Sequence, residues 1–140
     1  MPQHTILLAD DNVAVRVLCA TALLRTGYQV DTAADGVTAW KKLNDRLFDL
    51  LITDNDMPEM SGIELLERLA ATQMPVRVIM ISGNLPEAQF ARCPWLKPAA
   101  TLLKPFSISE LAKTVHSVLH VCAQPATEMI SSAERAPIAG

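Results

Sequence analysis

The sequence predicts an α/β fold: a parallel sheet of five strands, doubly wound, with helices covering both faces. Three observations carry this. Apolar runs of strand length recur at Thr5 to Ala9, Phe48 to Thr53, Val76 to Ser82 and Thr101 to Leu103, with a weaker alternating run at Tyr28 to Ala33. Segments with helical spacing separate these runs, and parallel neighbours need crossovers of that kind, which are right-handed. The central runs are apolar at successive positions, the pattern of strands buried on both faces.

Each helix has its own signals. In the first, Val13, Val17, Ala20 and Leu24 step by four, three and four, a stripe expected to face the core, and Gly27 follows as a stop. Trp40, Leu43 and Leu47 mark a second helix after Gly36, and Ile63, Leu66 and Ala70 a third. Leu85 to Arg92 opens a fourth, but it runs into CPWLKPAA, where Pro94 and Pro98 forbid a long regular helix, so a short or irregular one is expected. Leu111, Val115, Val118 and Cys122 give the last stripe. Ser61 with Glu64, and Ser107 with Glu110, have capping-box spacing, which makes both serines helix caps and not nucleophiles.

A chain of 140 residues, 50% apolar and 19% charged, fits one packed domain. The stretch from about Ala123 to Gly140 is small, polar and Pro-containing, with little to bury. The expected organisation is therefore a domain over 4–121 and a flexible tail over 122–140, without an output domain. A formal net charge of -3 gives no basic footprint, so direct nucleic-acid binding is not expected. The start, MPQHTILLAD, lacks a signal-peptide pattern, and no apolar run approaches the ~20 residues that span a bilayer. Cys19, Cys93 and Cys122 are odd in number and too scattered for a metal or redox spacing. Free thiols, no membrane association and a cytoplasmic location are expected.

The polar residues concentrate at strand ends. Open parallel sheets bind ligands beyond the carboxyl ends of their strands, where the strand order reverses. Strand one ends in Asp10 and Asp11, strand three in Asp54 with Asp56 beyond, strand four in Ser82, and strand five in Lys104. Three acids, a hydroxyl and an ammonium thus converge on one edge. Carboxylates this close repel one another unless a cation sits among them, and hard oxygen ligands with water suit Mg²⁺. Such a site leaves room for phosphate oxygens, with Asp54 placed to attack phosphorus while Lys104 and Ser82 orient the equatorial oxygens.

The acidic pair Asp10 and Asp11, Asp54 within DNDMPEMSG, Ser82 before Gly83, and Lys104-Pro105-Phe106 resemble the receiver domain of two-component response regulators over about residues 4 to 121. The resemblance implies a flavodoxin-like strand order of 2-1-3-4-5. It also implies that Asp54 accepts a phosphoryl group from the phosphohistidine of a sensor histidine kinase or histidine phosphotransfer protein. By the same resemblance Asp11, Asp54 and the backbone carbonyl of Asp56 hold Mg²⁺, with Asp10 acting through water, and Ser82 and Lys104 sense the phosphoryl group. Lys104-Pro105 is expected to be cis. The chain would be a signalling phosphoacceptor, not an enzyme, that assists its own phosphotransfer, loses phosphate slowly, and signals to a protein partner through the fourth helix, fifth strand and fifth helix. Asp56 and Asn84, at the two rims, are expected to tune the lifetime of the phosphoryl group.

Some positions depart from the family pattern. Where relatives often carry a switching Tyr or Phe, three residues before the lysine, this chain has Thr101. Trp95 is a possible substitute on the same face, though a buried packing role is the stronger expectation. Ser61 replaces a frequent Asp as a helix cap. Asp54 and Asp56 also resemble the Asp-x-Asp of haloacid-dehalogenase-type phosphatases, but those place their metal-binding acidic pair after the lysine, and here it comes before. A third reading, a receiver-like interaction module that is not phosphorylated, fits less well, since such modules lose an acid or the lysine. His116 and His120, four apart on the last helix, offer two metal ligands, but no third is visible and they read as an exposed pair.

Overall fold

The computed structural model describes residues 4–121. Strands β1 (Thr5–Ala9), β2 (Gln29–Ala33), β3 (Leu50–Asp54), β4 (Arg77–Ser82) and β5 (Ala100–Leu103) form one sheet in the order β2-β1-β3-β4-β5, every pairing parallel. Helices α1 (Val13–Thr26), α2 (Gly36–Asp45), α3 (Gly62–Thr72), α4 (Glu87–Arg92) and α5 (Ile108–Val121) connect or follow them. The order expected from the resemblance is the one observed. The chain leaves β1 in one direction to build β2 and in the other to build β3, so the order reverses between the ends of β1 and β3.

Side chains alternate across the strands and both sets are buried. Ile6, Leu8, Leu50, Ile52, Ile79 and Ile81 pack under α1 and α5 with Cys19, Leu23, Leu111 and Val115. Leu7, Leu51, Val78 and Met80 pack on the other face with Ala39, Leu43, Leu66 and Leu69 of α2 and α3. Each fully buried side chain of this size contributes about 1.5–3 kcal/mol, so the central strands anchor the fold and rigidly place whatever follows them.

Several ends form as their residues dictate. Gly27 closes α1 in the left-handed region at φ 107°, where a side chain would be strained. Both capping boxes are made: Ser61 Oγ accepts from Glu64 N and Ser107 Oγ from Glu110 N, while each glutamate accepts from the serine N–H. The fourth helix is as short as the prolines require, six residues, with a 3-10 turn at Pro94–Leu96.

Four expectations are corrected. In α1 the stripe Val13, Val17 and Leu24 faces outward, Val13 being 62% exposed, and the buried residues are Cys19 and Leu23. The segment VAVRVLCATALL is apolar nearly all round, so spacing did not single out a face, and packing against β2 and α5 chose another one. Leu47 lies beyond α2 and is 85% exposed, because the neighbouring Phe48 takes the core position. Ala70 is on the exposed side of α3, whose inner face is completed by Leu69. Trp95, expected to be buried, is 70% exposed on the proline-directed turn. Cys122 and the tail lie outside the described residues.

Candidate functional site

The end of β1 delivers Asp10, fully buried, and then Asp11, which is exposed. The carboxylate of Asp10 is fixed by its own turn: Oδ1 accepts the Asn12 N–H at 2.9 Å, and Asn12 in turn caps α1 by accepting from Val15 N. Arg16, one turn into α1, donates to the Asp10 carbonyl at 2.7 Å and pins the strand end from the helix side. Asp10 Oδ2 is buried and has no hydrogen-bond partner.

The end of β3 delivers Asp54, also buried. Its Oδ1 accepts the Asp56 N–H at 3.1 Å, and its Oδ2 accepts from Lys104 Nζ at 2.9 Å. Asn55 fastens the loop that follows: its N–H donates to the Ile81 carbonyl, its carbonyl accepts from Gly62 N, and its side chain accepts from Ile63 N. Gly62 is required there, since a Cβ would come within 2.9 Å of both the Asp54 carbonyl and Asn55 Cα. The close approach brings the start of α3 against the back of the site.

Lys104 arrives from β5, whose end is tied to β4 by the Lys104 N–H on the Ser82 carbonyl. Its ammonium lies 2.9 Å from Asp54 and 3.8 Å from Asp10. The Lys104-Pro105 bond is cis, as expected. One oxygen from each of Asp10, Asp11 and Asp54 lies within 4.8 Å of the others, a donor set that could hold a metal ion. Together with Asp10 Oδ2, which no hydrogen bond satisfies, that oxygen-only set fits a hard divalent cation.

Electrostatics mark the same place. Burial pushes the Asp10 carboxyl above its ordinary value; the Asn12 N–H and the Lys104 charge oppose this, and the Asp54 and Asp11 carboxylates add to it. Desolvation pulls Lys104 down, but its bond to Asp54 and the charges of Asp10, Asp54 and Asp11 outweigh that and hold it above its ordinary value. One ammonium is shared by three carboxylates.

The other residues singled out from sequence are placed as follows. Ser82 is fully buried at the end of β4, and its hydroxyl is engaged with the Asn84 backbone, donating to the carbonyl and accepting from the N–H, each at 3.1 Å. The side chains of Asp56 and Asn84 are exposed. Thr101 is exposed on β5 in a groove lined by Leu85, Glu87, Phe90, Ala91 and Lys97. Trp95 is not in that groove; it sits beside Leu66, Leu69 and Met74 of the α3 side. Phe90 of α4 lines the same groove as the switch position; the sequence reading missed it, along with Arg16 and Asn55.

Sheet order, site and sequence agree on the class of protein. The response regulator receiver domain model matches residues 6–116, and the chain belongs to that family. It is 33% identical over 114 residues to the response regulator receiver protein CpdR of Brucella abortus, covering 81% of this chain and 95% of CpdR. It is 32% identical over 126 residues to the DNA-binding transcriptional regulator NtrC of Azospirillum brasilense, covering 90% of this chain but spanning only 26% of NtrC. Among solved structures it is similar to the response regulator TrrA of Thermotoga maritima in complex with Mg²⁺-BeF: TM-score 0.72, 28% identity, 84% of this chain and 100% of that one. Membership in this family sets the phosphatase reading aside. Among the described residues no helix is long and apolar enough to cross a membrane.

Proposed function

We propose that this receiver takes a phosphoryl group onto Asp54 from the phosphohistidine of a sensor histidine kinase or histidine phosphotransfer protein, in a Mg²⁺-dependent reaction, and thereby changes its affinity for a protein partner. The observation that carries this reading is the 2.9 Å contact of Lys104 with a buried Asp54 inside a cluster of three carboxylates. Asp11, Asp54 and the Asp56 backbone carbonyl would hold the ion, with Asp10 contributing through water. When bound, Mg²⁺ supplies positive charge to the equatorial phosphoryl oxygens.

The chain's own groups do the rest. An Asp54 oxygen attacks phosphorus in line; the new P–O bond forms as the P–N bond breaks, and the leaving imidazole nitrogen keeps the electron pair and takes a proton from solvent. The Asp56 N–H on Oδ1 and the Lys104 ammonium on Oδ2 hold the carboxylate oriented for that approach. Lys104 then exchanges its carboxylate contact for a phosphoryl oxygen. Ser82 does the same, releasing the Asn84 carbonyl, which couples the site to the chain entering α4. The readout face is formed by α4, β5 and α5, where Thr101 replaces the usual aromatic and Phe90 lines the same groove.

Acetyl phosphate or a cognate kinase should label the wild-type chain in an acid-labile, Mg²⁺-dependent manner, and Asp54→Asn should abolish the label with the fold intact. Label retained in Asp54→Asn rejects the acceptor. No label in the wild type with either donor supports an interaction module that is not phosphorylated.

A further inference from the structure

The sheet has two edge strands, and only one of them is closed. At β2 the Gln29 N–H donates to the His4 carbonyl and the Ala33 carbonyl accepts from the Asp10 N–H. Gln29, Asp31 and Ala33 therefore turn their backbone groups to β1, and Val30 and Thr32 turn theirs to the open side. Thr32 is occupied there on both counts: its N–H donates to Asp31 Oδ1 at 2.8 Å and its carbonyl accepts from Lys42 Nζ at 2.6 Å. Charged side chains on an edge are one of the ways sheets refuse a further strand.

The other edge, β5, is built differently. It pairs with β4 alone, and the Lys104 N–H on the Ser82 carbonyl fixes which residues face that neighbour: Leu102 and Lys104 turn inward, Thr101 and Leu103 outward. Among the described residues no side chain meets the outward N–H and C=O groups. Thr101 is exposed and Leu103 is 56% exposed. A groove flanks this edge on each face of the sheet, one of about 360 Å³ beside Leu85 and Phe90, the other of about 420 Å³ beside Thr114 and Ser117 of α5, and Thr101 lines both. Lys97 borders the first and Lys113 the second; both are exposed, and neither forms an ion pair with a described residue. The acid lining these grooves is Glu87 alone.

We infer that β5 takes an extended peptide of a partner protein as a further strand, a peptide with apolar side chains at alternate positions and acidic residues among the others. The inference deepens the readout proposed above and rests on that reading for the face alone. A strand laid along Thr101 and Leu103 satisfies their open backbone groups, and its successive side chains point to opposite faces of the sheet. One set then enters the groove walled by Leu85 and Phe90, which suits apolar groups, and the other meets Thr114 and Ser117, which suits polar ones. Lys97 and Lys113 select the charge, because an acidic peptide complements them and a basic one is repelled. A second copy of this chain fits less well: two β5 strands paired about a two-fold axis bring Lys113 toward its own counterpart, and the segment Ala99 to Phe106 contains no acid to offer.

The test selects a random peptide library of strand length against the full, unphosphorylated chain, so that failure of Asp54 labelling and failure of peptide capture are separate results. Selected sequences should alternate apolar and polar residues, with Asp and Glu enriched over Lys and Arg. At saturation such a peptide should slow hydrogen exchange of the Thr101 and Leu103 amides by at least about tenfold. Lys97→Glu/Lys113→Glu should weaken its binding by about tenfold. N-methylation of alternate peptide amides gives a reading without substitution in the protein: one set faces β5 and should abolish binding, and the other faces solvent and should be tolerated. No selected binder, a binder that leaves both amides exchanging as before, equal loss from the two methylated sets, or affinity unchanged in Lys97→Glu/Lys113→Glu overturns the inference. Protection of those amides that rises with protein concentration alone also overturns it, assigning the edge to a second copy.

Discussion

Asp31 of β2 faces two cations, Lys42 at 2.9 Å and Arg46 at 3.2 Å, whereas at the neighbouring strand ends Asp54 and Asp10 pair with one, Lys104, among the described residues, and Asp11 lies close to both. Both clusters belong to the same sheet. At Asp31 the acid is half-buried, and desolvation, which pushes its carboxyl up, is outweighed by the bonds from Lys42 and Thr32 and the nearby charges, so it lies below its ordinary value. At Asp10 desolvation prevails. A carboxylate kept for the fold is surrounded until it is balanced, as Asp31 is. An excess of acids buried at a strand-order reversal serves something the fold does not need, which is a probabilistic sign of function with a physical cause.

The largest test of this contrast removes the one cation. Lys104→Met leaves Asp54 and Asp10 facing each other at a buried strand edge. Because Lys104 keeps about a third of its side chain in solvent, the loss should be about 2–3 kcal/mol, below the 3–5 seen when a fully buried pair is broken. Urea unfolding in chelator measures it, and Mg²⁺ should restore a large part. A loss that Mg²⁺ leaves untouched would mean that the acids do not share a cation site. Asp10→Asn works in the opposite sense: it should stabilise the metal-free protein by about 1–2 kcal/mol, since a buried charge is replaced by a neutral amide whose oxygen still accepts from Asn12. The same variant should bind Mg²⁺ more weakly.

These acids were legible in the sequence because each ends an apolar run, and the run length fixes where the chain leaves the sheet. β3 and β4 are apolar on both faces, so Asp54 and Ser82 could be placed without knowing any contact. What was not legible depends on partners far along the chain or on faces the composition leaves undecided. α1 is apolar nearly all round, so the choice of Cys19 and Leu23 over Val13 and Val17 was made by tertiary packing. Arg16 reaching the Asp10 carbonyl, Phe90 beside Thr101, and His4 joining His116 and His120 all join residues that no local spacing relates.

A smaller effect is expected at the balanced cluster. Asp31→Asn should cost about 0.5–1 kcal/mol at neutral pH, the range for ion pairs screened by solvent. The folded carboxyl lies below its ordinary value of 3.8, so its contribution is present above that value and is lost as pH falls through the folded value. Wild type and Asp31→Asn should therefore converge in stability on acidification below about pH 4. Thermal unfolding of the pair from pH 7 downward checks this; a gap that widens instead would show that the network is not what holds Asp31.

The smallest predicted effect is kinetic and falls on Asp56, whose backbone N–H is committed to Asp54 while its side chain stays exposed beside it. On the proposed phosphorylation of Asp54, that carboxylate would lie at the rim a hydrolytic water must cross. A negative charge there disfavours an approaching nucleophile that carries partial negative charge, although a carboxylate can also serve as the base for that water. Obstruction is the expected outcome, because among the described residues no hydrogen bond fixes the side chain in a base's position, and Asn84 offers only a neutral amide at the other rim. Asp56→Asn should then lose its phosphoryl group faster by about twofold, a change of about 0.4 kcal/mol in barrier. The measurement is decay of phosphorylated protein at fixed Mg²⁺ after the donor is removed. Slower decay would show that Asp56 assists the water.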